Sequence, residues 1–114
     1  TRCASEMRFM LKQSNLNDQK ILSLAGIGDL VLTCSSTKSR NFSFGKKFIF
    51  MQSTKNLSKN KTTIEGLNSI MTIKKVLNLN LKDLPILTSI INVIKGKSVK
   101  NEVNNLLRRK FKYE

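Results

Sequence analysis

Apolar residues recur every three or four positions along most of this chain, and that period admits helices and little else. Ile64, Leu67, Ile70, Met71, Ile73 and Leu77 keep the spacing longest and predict the longest helix of the chain, ending near Asn78–Asn80. Pro85, the only proline, is placed as the first residue of a further helix running through Ile94, with Gly96 as its stop. Ser98 then caps a last helix carrying Val99, Val103, Leu106 and Leu107. Arg108, Arg109 and Lys110 sit at its end, where the helix dipole favours cations.

The first half follows the same rule with weaker punctuation. Ala4, Met7, Met10 and Leu11 already show helical spacing, and the first residue is Thr, so the sequence reads as starting inside a helix of something longer. Asn15 to Asp18 supplies a break and an N-cap, after which Ile21, Leu22, Leu24 and Ala25 suit a short helix stopped by Gly26. The segment from Asp29 to Cys34 reads as a buried strand or a turn of helix, and Asp29 after Gly28 favours a capped helix start. From Ser39 to about Phe50, Phe42, Phe44, Phe48 and Ile49 predict an amphipathic helix entered at Ser39 and weakened by Gly45. Residues 52–63 are polar and poor in helix formers, which predicts a surface loop or frayed helix and the best candidate for disorder. The sum is one all-α domain of five to six helices over residues 1–114, with no internal repeat and no linker.

Composition removes several kinds of chemistry. At 114 residues the chain holds at most one domain and is too short for a complete two-domain enzyme. It has no His, and its two cysteines, Cys3 and Cys34, cannot make a four-ligand zinc site, so no metal is expected. Two cysteines also read better as reduced thiols in a cytoplasm than as a disulfide framework. No apolar run approaches the ~18 residues of a membrane span.

A net charge of +14 and a pI near 10.3 invite a nucleic-acid or polyanion reading. The lysines, however, are spread from Lys12 to Lys112 in ones and twos, with no aromatic or zinc-finger pattern beside them. Lys, Asn and Ile make up a third of the chain, and all three have A/T-rich codons, so codon drift alone yields such basicity.

Two short stretches stand out. Residues 25–34, AGIGDLVLTC, carry a Gly-x-Gly that does not complete the dinucleotide-binding pattern, followed by Ser39, Arg40 and Asn41 at a predicted helix start. A hydroxyl, a guanidinium fork and an amide beside open backbone N–H groups suit a phosphate; the plainer reading is a simple cap. Ile64-Glu65-Gly66 opens the next helix, where Glu65 either matches the dipole or holds a sugar hydroxyl or an arginine. Asp29 is likewise a cap, or a carboxylate aimed at a substrate hydroxyl or a catalytic lysine. Spacing decides neither.

Taken in order, TRCASEMRFM, LAGIGDLVLTC, SRNFSFG, IEGLNSIMTIKKV and LPILTSIINVIKGKSVKNEVNNLLRRKFKYE resemble the C-terminal half of the bacterial-type NAD(P)-dependent glycerol-3-phosphate dehydrogenases. The resemblance covers nearly the whole chain. It implies a helical domain of the kind found at the C-terminus of 6-phosphogluconate dehydrogenases, which binds substrate beside an N-terminal Rossmann domain that holds NAD(P)H. In such enzymes hydride passes between the nicotinamide and C2 of dihydroxyacetone phosphate or sn-glycerol 3-phosphate, feeding glycerophospholipid synthesis in the cytoplasm. By the same resemblance, Asp29, Ser39, Arg40 and Asn41 match substrate-binding positions, and Arg40, Thr63 and Glu65 match cofactor contacts. Thr63 stands where the family usually has Val.

Other departures limit what this chain does alone. The family's catalytic lysine and its Rossmann fold lie N-terminal to everything present here, so the isolated chain is expected to be inactive and to bind no cofactor stably. Phe42 and Ser43 replace further arginines, and Cys3 stands where glycine is common. The expected partners are the phosphate-ester substrate, the missing Rossmann domain and a second copy of the chain, with no membrane. A basic nucleic-acid or polyanion module is the alternative.

Overall fold

A computed structural model describes residues 1–53 and 65–109. Helix α1 spans Arg2–Gln13, α2 Gln19–Leu22, α3 Leu24–Ser35, α4 Arg40–Ser53, α5 Glu65–Val76, α6 Pro85–Ile94 and α7 Val99–Arg108. A single 3-10 turn, Leu81–Asp83, precedes α6. No strand occurs among the described residues, and six of these helices have ten or more residues, α2 being a four-residue turn. The all-α expectation therefore holds, and residues 29–34 are helix rather than strand.

Helix ends follow local chemistry. Asn15 (φ 55°), Asn78 (φ 46°) and Gly96 (φ 96°) take the left-handed conformation just beyond α1, α5 and α6. After α1 the Leu16 N–H donates to the Leu11 carbonyl at 2.8 Å, and after α6 the Lys97 N–H donates to that of Asn92 at 2.9 Å, closing the same carbonyl-satisfying loop. The expected boundaries of α6 and α7 hold, with Pro85 first in α6 and the Ser98 hydroxyl accepting from the Asn101 N–H.

Several boundaries differ from expectation, each for a stated reason. Asp18 does not cap α2 with its side chain; Asn17 Oδ1 accepts the Gln19 N–H at 3.0 Å instead, because the Asp18 carboxylate is taken by Arg8. The predicted helix across Ile21–Ala25 is broken at Ser23, whose extended backbone ends α2 and whose Oγ accepts the Gly26 N–H at 3.1 Å to start α3. Gly26 thus opens α3 rather than stopping a helix. A Cβ there would lie 2.6 Å from the Lys20 carbonyl oxygen and 2.7 Å from that of Ile21, so glycine lets α2 and α3 meet. Asp29 stands inside α3, not at a helix start. Among the described residues α4, with fourteen, is longer than α5, with twelve. The loop expected at residues 52–63 begins inside α4, which runs to Ser53, and the rest of it lies outside the described residues.

Among the described residues the buried core lies where α1, α6 and the segment before α6 converge: Ala4, Leu79, Leu84 and Ile91, of which Leu84 is fully sealed. Polar links between distant elements reinforce it. Glu6 of α1 accepts two N–H groups at the start of α6, and Arg2 Nη1 donates to the Leu106 carbonyl at 2.9 Å near the end of α7. Glu102 is buried and takes the Asn92 Nδ2 amide at 3.2 Å on each oxygen.

Candidate functional site

The stretch that most resembles a ligand site is the connection between α3 and α4. Leu32 accepts the Ser36 N–H and Ser36 the Ser39 N–H, both at 3.0 Å, which folds residues 36–39 into a tight turn. Thr37 is tied to the next helix by the Ser43 hydroxyl, which donates to its carbonyl at 2.5 Å. Ser39 is half-buried, and its Oγ accepts the Phe42 N–H at 3.3 Å, the bond expected of an N-cap. Arg40 and Asn41 are the first two residues of α4 and both are exposed. The Asn41 N–H finds no partner among the described residues, leaving a donor at the positive end of the helix dipole.

Asp29 is exposed on α3, and α3 packs on α4, so Asp29 and Ser39–Asn41 belong to one helical pair. Phe44 and Phe48 of α4 meet in a tilted pair, ring centroids 5.6 Å apart and planes at 44°. The other two sequence-predicted residues fall in a different part of the chain. Glu65 opens α5, which makes no substantial contact with α3 or α4 among the described residues. Thr63 lies outside the described residues.

What the described residues bring together is an exposed arginine and one open backbone N–H at the start of α4, with Asp29 on the helix packed against it. An exposed cation at a helix start also fits the phosphates of a dinucleotide. The described residues offer no sheet on which to seat the rest of one. No group of three or more His, Cys, Asp or Glu that could hold a metal occurs among the described residues, and no described helix is long and apolar enough to cross a membrane.

Sequence reading missed the polar residues that hold the scaffold. Arg8 Nε and Nη2 both lie 2.9 Å from Asp18 Oδ2, with Lys12 Nζ at 3.7 Å. Desolvation pushes the Asp18 carboxyl up, but the Arg8 hydrogen bond and the charges of Lys12 and Arg8 outweigh it and leave it below the ordinary 3.8. The spacing of Arg8 and Asp18 across a helix end was a usable signal. Both cysteines are free. Desolvation pushes the Cys3 thiol up and Cys34 adds to the effect, which lowers its thiolate fraction at neutral pH.

Comparison with known proteins supplies what geometry alone does not. Residues 1–105 match the family described as NAD-dependent glycerol-3-phosphate dehydrogenase C-terminus. Among curated relatives, a glycerol-3-phosphate dehydrogenase [NAD(P)+] of Malacoplasma penetrans is 44% identical over 77 residues, covering 68% of this chain and 23% of the relative. Proteins of the same name from Zymomonas mobilis and Ruthia magnifica are 39% and 37% identical, covering 85% and 94% of this chain and 29% and 34% of their own lengths. The chain thus spans between 23% and 34% of the length of these relatives. No solved structure matches it.

Proposed function

Because the chain belongs to the NAD-dependent glycerol-3-phosphate dehydrogenase C-terminal family, we propose that residues 1–114 are the substrate-binding helical domain of such an oxidoreductase. Its substrate pair is dihydroxyacetone phosphate and sn-glycerol 3-phosphate, interconverted in the cytoplasm and feeding glycerophospholipid synthesis. The observation that carries this reading is the start of α4, where the Ser39 cap, the exposed Arg40 and the open Asn41 N–H stand together within a region the family match covers.

In this reading Arg40 and the first N–H groups of α4 grip the phosphate dianion. A charged group leaving water needs such donors, because an unpaired buried charge is too costly to keep. Asp29, on the adjoining helix, accepts a hydrogen bond from a substrate hydroxyl and so orients the three-carbon chain. By their match to family positions, Arg40, Thr63 and Glu65 are assigned as cofactor contacts. The nicotinamide, when bound, supplies or accepts the hydride. This chain's residues bind and orient the phosphate ester; the family's proton-transferring lysine lies N-terminal to the residues present here, so catalysis requires both parts to be held together. The exposure of Leu24, Val31 and Leu32 on one side of α3, at 92%, 60% and 65%, supports a role beside further polypeptide.

Isothermal titration with dihydroxyacetone phosphate tests the reading. Binding to the wild-type chain, weakened by about 1.5–3 kcal/mol in Arg40→Ala, is the expected result. Unchanged affinity in Arg40→Ala overturns the anion site, and steeply salt-dependent RNA binding without ester binding favours a polyanion module.

A further inference from the structure

A groove lies well away from the α3–α4 turn in the chain. Leu81, Lys82, Pro85, Thr88, Ser89, Asn105, Leu106 and Arg109 line a groove of about 240 Å³ between the 3-10 turn, α6 and α7. Its chemistry is one-sided. Lys82 and Arg109 are both exposed, and among the described residues neither side chain makes an ion pair or hydrogen bond and no carboxylate lines the groove. Acids on the elements around it bond within the protein: Asp83 accepts from Asn80 Nδ2 at 3.5 Å, Glu6 accepts the Ile86 and Leu87 N–H groups, and Glu102 accepts from Asn92.

Ser89 adds a second, independent sign. It is only 8% exposed, yet its hydroxyl has no hydrogen-bond partner among the described residues. Neighbouring Thr88, by contrast, spends its hydroxyl on the Leu81 carbonyl at 2.9 Å. A hydroxyl on so enclosed a residue that bonds to nothing in the protein leaves its donor and acceptor for a ligand or ordered water. Because no fully sealed polar atom lacks a partner, the Ser89 hydroxyl is reachable from the groove it lines. Leu81, Pro85 and Leu106 supply apolar wall beside these groups.

We propose that this groove binds a small phosphate monoester with a short apolar body, its phosphate between Lys82 and Arg109 and hydrogen-bonded by Ser89 and Asn105. Two cations facing one cleft match a dianion, and a guanidinium is suited to phosphate oxygens. The apolar wall takes the organic part, which distinguishes the ligand from the hydroxylated ester assigned to Arg40. The volume admits only a compact molecule, below the ~300–1,000 Å³ of drug-sized sites.

The test is an amide-resolved NMR titration of the full chain with n-butyl phosphate at low ionic strength, with inorganic phosphate as a second probe. Saturable shifts at Lys82, Ser89, Asn105 and Arg109, retained in Arg40→Ala, are expected, with butyl phosphate binding more tightly than inorganic phosphate. A Lys82→Gln, Arg109→Gln double variant should bind at least about tenfold more weakly. Ser89→Ala, which keeps all charges, should weaken binding severalfold. Circular dichroism checks that each variant keeps its helices. Shifts spread over all lysines and reproduced by sodium chloride, or confined to Ser39–Asn41, overturn the site. Undiminished affinity in the double variant does the same, and equal affinity for the two probes removes the apolar wall from the proposal.

Discussion

The carboxylate of Glu6 accepts the backbone N–H groups of Ile86 at 2.6 Å and Leu87 at 3.1 Å, so α6 is capped by a residue of α1 eighty positions earlier. The helix cannot cap itself. Leu84 precedes it without a side-chain acceptor, and Pro85 contributes no N–H, so the next two donors are open and a negative charge there also meets the dipole.

Glu6→Ala should therefore destabilise the whole fold by about 1–3 kcal/mol, since it leaves two part-buried donors without partners. Glu6→Gln, which keeps one acceptor, should cost less. Urea denaturation followed by circular dichroism reads both, and equal midpoints for wild type and Glu6→Ala would refute the cap.

Two glycines of α3 should respond in opposite directions. Gly26→Ala places a methyl within 2.6 Å of the Lys20 carbonyl oxygen and should cost about 1–3 kcal/mol as α2 is pushed off. Gly28→Ala meets nothing within 4 Å and should stabilise the helix by up to about 1 kcal/mol. Thermal melts of the two variants give the comparison directly.

Asp18 sets an acid-side dependence. Its folded carboxyl lies below the unfolded value, so its contribution is fully present above the ordinary 3.8 and is lost as pH falls through the folded value. Stability measured between neutral pH and strongly acidic pH should fall less steeply at the acid end in Asp18→Asn than in wild type. Identical acid limbs would count against the Arg8 contact.

Ser39→Ala removes the acceptor for the Phe42 N–H and should cost about 1 kcal/mol, with hydrogen exchange speeding first at the start of α4. In the proposed function the same change should also weaken phosphate-ester binding, because the mouth of the anion site loosens.

Asn92→Leu at its half-buried position should be strongly damaging. It strips both hydrogen bonds from the buried Glu102 carboxylate, at an expected cost of about 1–3 kcal/mol. The double variant Asn92→Leu, Glu102→Leu should recover part of the loss, and a full double-mutant cycle measures the coupling.

Much of this was readable in one dimension because the signals were local. Pro85 at the start of α6, Gly96 beyond its end, Ser98 before α7 and Ser39 before α4 each act within a few residues of themselves, so spacing and residue type sufficed. The ordered motifs around Asp29, Ser39, Arg40 and Asn41 also pointed to the family that residues 1–105 match.

The failures cluster where a distant or competing partner decides. Gly26 resembled a helix stop because glycine usually ends helices; its actual role is set by the carbonyls of α2 pressing on it. Asp18 resembled a cap, but Arg8 outbids a backbone N–H for a carboxylate by adding charge. Periodicity and punctuation thus determined that the chain is helical and where most helices begin and end. Which acid caps α6, which lysine and arginine face one groove, and which hydroxyl opens into it were decided only by three-dimensional packing, since those pairings join residues that no short-range pattern relates.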